Sequence, residues 1–212
     1  AEDGGVATLR ATLSNATTQA VTVTLGFSGT ATVDADYTRD TTQLVIPALS
    51  TSATLGVTSL GDALTEGSET VVVDITGVTN ATESGTQQAT VTITDADAAA
   101  VTVADVSVVE GVGLLFTVTL DNAVAGAFTV DVTLTDGTAT GGAAPLASPE
   151  DYDNVVATLN FAGTAGETQQ FTVATLDDAV LEGSETFTVS LSASNPLVDD
   201  SDAATGTITD ND

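Results

Sequence analysis

The chain has 212 residues, enough for two domains of about 100, and is 42% hydrophobic but only 4% aromatic. Its 30 Asp and Glu face 2 Lys and Arg, a formal net charge of -28 that excludes nucleic acid as a partner. With no Cys or His there is no disulfide framework, no thiol or imidazole catalysis and no common zinc ligand; no apolar run reaches the roughly 20 residues that span a bilayer.

From the N-terminus, alternating runs of Val, Leu, Ile and Thr predict half-buried strands at 6–13, 20–28, 42–47, 52–59, 69–77 and 87–94. The stretch Ala98-Ala99-Ala100 then acts as a short linker, and the boundary falls at Asp97, giving domains 1–97 and 98–212. Beyond it, strands are predicted at 101–109, 114–121, 127–135, 155–162, 168–176, 185–193 and 203–209.

The order of segments repeats. Ala7–Ala16 answers Leu114–Ala123, Gly29-Thr-Ala-Thr32 answers Gly137-Thr-Ala-Thr140, and Glu66-Gly-Ser-Glu-Thr70 is identical to Glu182-Gly-Ser-Glu-Thr186. Two all-β, antiparallel, immunoglobulin-like sandwiches in tandem are therefore expected. Nothing precedes Glu2 to match 101–109, so the first copy lacks its first strand and should expose a sheet edge. Either the chain is trimmed from a longer array, or a strand arrives from another subunit, which predicts head-to-tail filaments.

If successive strands run antiparallel, the first, third and fifth connections of the second copy share a pole with its C-terminus. That pole gathers Glu110, then Asp136, Glu150, Asp151 and Asp153, then Asp177, Asp178, Glu182 and Glu185, then Asp210 and Asp212. The first copy gathers Glu2, Asp3, Asp34, Asp36, Asp40, Asp62, Glu66, Glu69, Asp95 and Asp97 in the same way. Two unit charges about 4 Å apart repel by roughly 1 kcal/mol in water and about 4 at a protein surface. With no basic residue nearby, such a pole calls for cations. Calcium suits it, taking about six to eight oxygens from flexible loops, better than magnesium with its stricter octahedron. The competing reading is an acid-rich, salt-adapted surface without metal.

The segment Asp177-Asp178-Ala-Val180-Leu-Glu182-Gly-Ser-Glu185-Thr-Phe187, the pair Asp151-Tyr152 and the closing Asp210-Asn211-Asp212 resemble the Calx-β domain. That resemblance implies calcium ligands at Glu110, Asp151, Asp177, Asp178, Glu182, Glu185, Asp210 and Asp212, with the carbonyl of Val180. In the first copy the matching residues are Asp3 or Glu2, Asp36, Asp62, Glu66, Glu69, Asp95 and Asp97. Gly61 stands there for Asp177 and Ala96 for Asn211, which implies weaker or fewer sites.

Tyr37 and Tyr152 are expected to pack beneath the acidic loops, and Gly67 and Gly183 to shape turns. Paired carboxylates also serve glycosidases, but with no Trp to stack a sugar and no base beside the acids an enzyme is not expected. The function expected is an extracellular or cell-surface structural or adhesive module, bacterial in character, whose partners are calcium ions and neighbouring repeats or copies. In it calcium stiffens the loops and the Asp95–Asp97 junction. The alternative is a calcium-sensing regulatory module of a larger transporter or enzyme.

Overall fold

Alternation of branched apolar residues with Thr, Ser and Gln gives each strand one apolar face, and two such faces must meet to leave water. The computed structural model describes residues 1–212 and is built of strands and turns with no helix. The chain divides into two units, one of Ala1–Asp62 with Gly67–Ala96 and one of Ala63–Glu66 with Asp97–Asp212.

In the first unit a three-stranded sheet has the order Val6–Thr12, Ser52–Ser59, Tyr37–Arg39. The facing sheet has the order Gln43–Ile46, Val21–Gly29, Glu69–Thr79, Gln88–Ile93. All pairings are antiparallel, and the core between the sheets includes Val21, Ile46, Leu55, Val57 and Val71. The strand Tyr37–Arg39 was not expected from the sequence; at three residues it is too short to show a period.

In the second unit a five-stranded sheet runs Val106–Val109, Ala203–Thr209, Glu185–Ala193, Phe128–Asp136, Thr158–Phe161. Facing it, Thr168–Val173, Leu114–Leu120, Ala99–Val103 and Val198–Asp199 form a four-stranded sheet. The stretch 101–109, expected as one strand, is two. Ala99–Val103 pairs antiparallel with Leu114–Leu120, while Val106–Val109 pairs parallel with Ala203–Thr209, so the chain crosses from one sheet to the other at Ala104 and Asp105. The physical reason sits at the break, where the Asp105 carboxylate accepts the Thr205 N–H at 2.7 Å in place of a ladder bond.

Five of the six Phe lie in this unit, and its core is held by ring contacts. Phe171 stacks on Phe116 at 5.1 Å, Phe116 meets Phe187 edge-on at 6.2 Å, and Phe187 stacks on Tyr152 at 4.2 Å. Such pairs add about 0.5–1.5 kcal/mol each beyond area burial. Gly206 leaves room for the Phe187 ring, which any Cβ there would strike. The first copy of the chain has the tyrosine, Tyr37, at 3% exposure, but places Val71 where the second has Phe187.

Candidate metal sites

Tyr152 is fully buried, as expected, and its hydroxyl donates to Asp136 Oδ1 at 2.6 Å, so the ring fixes the backbone of its neighbour Asp151. The Asp151 carboxylate faces Glu182 and Glu185, and each of the three offers an oxygen within 4.8 Å of the others. Asp151 Oδ2 also accepts the Thr140 N–H at 2.6 Å. Glu185 opens the Glu185–Ala193 strand, and Glu182 lies in the irregular loop before it.

A second trio lies in the same unit, with Glu110, Asp210 and Asp212 again within 4.8 Å of one another. Glu110 follows the Val106–Val109 strand, and its N–H donates to Thr209 O at 3.0 Å, which brings it beside the end of Ala203–Thr209. Asp210 accepts the N–H of Glu182 at 2.7 Å and of Asp212 at 2.9 Å, tying the two trios together. Glu110, Asp151, Asp178, Glu182, Glu185 and Asp210 line one cleft.

Asp177 and Asp178 belong to neither trio. Asp177 accepts from the Asn211 side chain at 3.4 Å, and Asp178 accepts the Val180 N–H at 2.8 Å. Gly111, at φ 72°, lets the chain pass so close to Asp177 that a Cβ would lie 2.8 Å from its Cβ. The sequence did not single out this glycine, although it directly follows Glu110.

The ionisation of these groups reflects crowding. Burial, then the hydrogen bond and charge of Asp151, then Glu182, push the Glu185 carboxyl up to about 7. Burial raises Glu110 and Glu182 as well, helped by the charges of Asp210, Asp212 and Asp177 at Glu110, and of Asp151, Asp178 and Asp210 at Glu182. Asp210 goes the other way, held low by the backbone N–H groups of Asp212 and Glu182.

Several acids elsewhere in this unit accept hydrogen bonds from backbone donors. Glu167 accepts from Ala162, Gly163 and Thr164, Asp200 from Ala193 at 2.6 Å, Asp202 from Val103 at 2.8 Å and Asp121 from Ala100 at 2.7 Å. Glu167 is accordingly held below the usual carboxylate range, chiefly by the Ala162 N–H. The trio acids Asp151 and Asp210 accept backbone N–H groups too, and what sets them apart is that their oxygens lie among those of other carboxylates.

In the first unit Asp36 and Glu69 offer oxygens within 4.8 Å, as do Glu2 and Asp62. Asp36 accepts the Thr32 N–H at 2.5 Å, repeating the contact of Asp151 with Thr140. Glu2 is 7% exposed and donates its N–H to Thr94 O at 2.9 Å, so it, and not the exposed Asp3, occupies the place of Glu110. Asp3 lies against Gly61, where a Cβ would come within 2.2 Å of the Asp3 Oδ1. Asp95 is half-buried just beyond Gln88–Ile93, and Glu66 and Asp97 fall in the segments grouped with the second unit.

A family model described as the Calx-beta domain matches residues 1–97 and again 99–212. The chain belongs to the Calx-beta family. Among solved structures, it is similar to an apo-form Calx CBD1 domain at 21% identity, covering 55% of this chain and all of that one with a TM-score of 0.44. It is also similar to CBD12 from CALX1.2, at 16% identity over 96% of this chain and 93% of that one with a TM-score of 0.41. A third, the calcium binding domain CBD12 of CALX1.1, is 18% identical over 89% of this chain and 74% of that one, with a TM-score of 0.39. No curated protein matches the chain in sequence.

The donor set of this Calx-beta chain fits calcium on its own chemistry. Every candidate side chain is a hard carboxylate, and the second unit contains no Lys, Arg or His to neutralise the acids from within.

Proposed function

We propose that calcium binds at the pole of the second unit, with Asp151, Glu182 and Glu185 serving one ion and Glu110, Asp210 and Asp212 another. Asp177 and Asp178 border both and complete the oxygen set. The observation that supports this most directly is that carboxylates from four chain-distant segments face each other there with no basic residue in the unit. Bound calcium removes the repulsion and joins the ends of Val106–Val109, Ala203–Thr209 and Glu185–Ala193, stiffening the irregular loop 177–184 between them. The role is structural and non-catalytic, in an extracellular or cell-surface module of an adhesive protein, where calcium is abundant enough for sites of about 10⁻⁴–10⁻³ M affinity. The two outer strands of the first unit favour a further element of this reading, its completion by one more strand, from residues ahead of Ala1 or from another subunit.

The raised carboxyls of Glu110, Glu182 and Glu185 favour a second reading, a calcium-sensing regulatory module, because a crowded site changes most on filling. Calorimetric titration of the 212-residue chain with calcium tests the shared claim. Binding that is lost in Asp210→Asn and kept in Asp200→Asn is expected; absence of heat at millimolar calcium refutes it. Hydrogen exchange separates the readings: protection confined to loop 177–184 and its flanks supports the structural role, and changes spread through both sheets support the sensor.

A further inference from the structure

Asp136 lies at the acidic pole of the second unit and joins neither trio. It is the last residue of Phe128–Asp136 and stands opposite Phe187 in Glu185–Ala193, so a paired strand fixes its backbone. Its Oδ1 accepts two hydrogen bonds, from the Tyr152 hydroxyl at 2.6 Å and from the Gly141 N–H at 2.9 Å. These donors flank one pair of residues. Thr140 donates its N–H to Asp151 Oδ2 at 2.6 Å, and Asp151 donates its own N–H to Thr140 O at 2.8 Å. Tyr152 follows Asp151 and Gly141 follows Thr140, so one strand-borne oxygen holds both sides of the pair that carries the ligand. The Tyr152 ring is itself immobile, fully buried and stacked on Phe187 at 4.2 Å. Gly141 leaves the ring its place, since a Cβ there would lie 2.8 Å from Tyr152 Cζ and 2.9 Å from the hydroxyl oxygen.

The first copy has the same pair without this clamp. Asp36 accepts the Thr32 N–H and donates its own N–H to Thr32 O at 2.9 Å, and Val33 bridges Tyr37 in parallel as Gly141 does Tyr152. Ser28 stands there for Asp136 and Val33 for Gly141. The difference follows loop length. Only 33–35 separate Thr32 from Asp36, whereas 141–150 separate Thr140 from Asp151. Closing the longer loop costs more chain entropy, and two further hydrogen bonds at its base offset that cost.

We propose that Asp136 is a positioning residue for calcium at the trio of Asp151, Glu182 and Glu185: through Tyr152 and Gly141 it fixes the Asp151 carboxylate in place, and it acts as a hydrogen-bond acceptor and not by its charge. Groups that orient a ligand from behind set metal affinity without touching the ion. This inference rests on the calcium reading of the second unit and adds what holds one of its ligands.

The test compares the 212-residue chain with three substitutions. Tyr152→Phe keeps the ring and removes one donor, Asp136→Ala removes the acceptor, and Asp136→Asn keeps an acceptor oxygen while removing the charge. In chelator, exchange at the Thr140 and Asp151 amides is expected to quicken about tenfold in Tyr152→Phe and Asp136→Ala, with Glu185–Ala193 unchanged, and to return near the wild-type rate in Asp136→Asn. In calorimetric titration the first two should lose about tenfold or more in calcium affinity, which Asp136→Asn restores to within about threefold of wild type. Wild-type affinity in Tyr152→Phe overturns the proposal. So does an Asp136→Asn as weak as Asp136→Ala, since Asp136 then acts by its charge. Should Asp136→Ala not fold, Gly141→Ala takes its place, because its methyl group displaces the Tyr152 hydroxyl without altering a charge or a ligand; wild-type affinity there overturns the proposal as well. A wild-type chain that gives no heat with calcium brings down the calcium reading and this inference together, whereas binding in wild type with every variant unchanged brings down this inference alone.

Discussion

Replacing Glu185 by Gln separates its two roles, as a source of repulsion and as a ligand, because they act with opposite sign. Glu185 lies within 4.8 Å of Asp151 and Glu182. At that distance each pair repels by about 0.9 kcal/mol in water and about 3.5 at the effective dielectric of a protein surface. Two pairs vanish in Glu185→Gln, and since Glu182 is exposed the lower figure applies, roughly 2 kcal/mol of relief. The amide also keeps the carboxylate's shape and can donate to Asp151. At pH 8, where a carboxyl pushed up to about 7 is ionised, the calcium-free variant should melt higher, by about 6–10 °C for a unit of this size. Calcium should then help it less. If wild type gains about 2.7 kcal/mol at a hundredfold excess over its dissociation constant, a tenfold loss of affinity leaves about 1.4. Thermal melts by circular dichroism in chelator and in calcium give both numbers. A variant that melts lower in chelator, or responds to calcium as wild type does, refutes the reasoning.

Without calcium, the raised Glu185 carboxyl favours the second unit in mild acid: its contribution is fully present below about 4.5 and is lost as pH rises through the folded value of about 7. After discount for solvent screening this amounts to about 1–2 kcal/mol, and denaturant titrations at pH 5 and pH 8 should show it in chelator and not in saturating calcium. Asp200→Ala removes the acceptor of the Ala193 N–H and should cost about 1 kcal/mol in urea unfolding while leaving the calcium isotherm unchanged. Gly206→Ala forces a methyl group onto the Phe187 ring and should destabilise the second unit by about 1–3 kcal/mol, seen as a lower calcium-free melting temperature.

Strand positions were legible because period-2 alternation is a local signal, and 52–59, 185–193 and 203–209 coincide with Ser52–Ser59, Glu185–Ala193 and Ala203–Thr209. The break at Ala104 and Asp105 was not, because the alternation in Val101-Thr-Val-Ala-Asp-Val-Ser-Val108 hardly falters and the sheet switch depends on a distant donor, Thr205. Gathering of acids at one pole followed from counting strands, and the structure brings six of the named ligands of the second unit into two trios. What counting could not reveal is which acids face each other. Counting assigned Asp200 and Asp202 to the other pole, but it could not separate Asp151 from Asp136 and Asp153 in the same connection, which accept from the Tyr152 hydroxyl and the Val155 N–H. The choice of Glu2 over Asp3 is of the same kind, decided by which side chain the Thr94 contact turns inward.

The parallel register of Val106–Val109 with Ala203–Thr209 has a mechanical consequence. Tension applied to the two ends of the second unit pulls these strands in opposite directions along their length, so four residue pairs must slip together before the unit yields. Load shared in this way sets a high barrier to forced extension, which is governed by the rate of unfolding and not by equilibrium stability. In the first unit Gln88–Ile93 is an outer strand among residues 1–212, and a strand laid parallel along that edge would make the same clamp there.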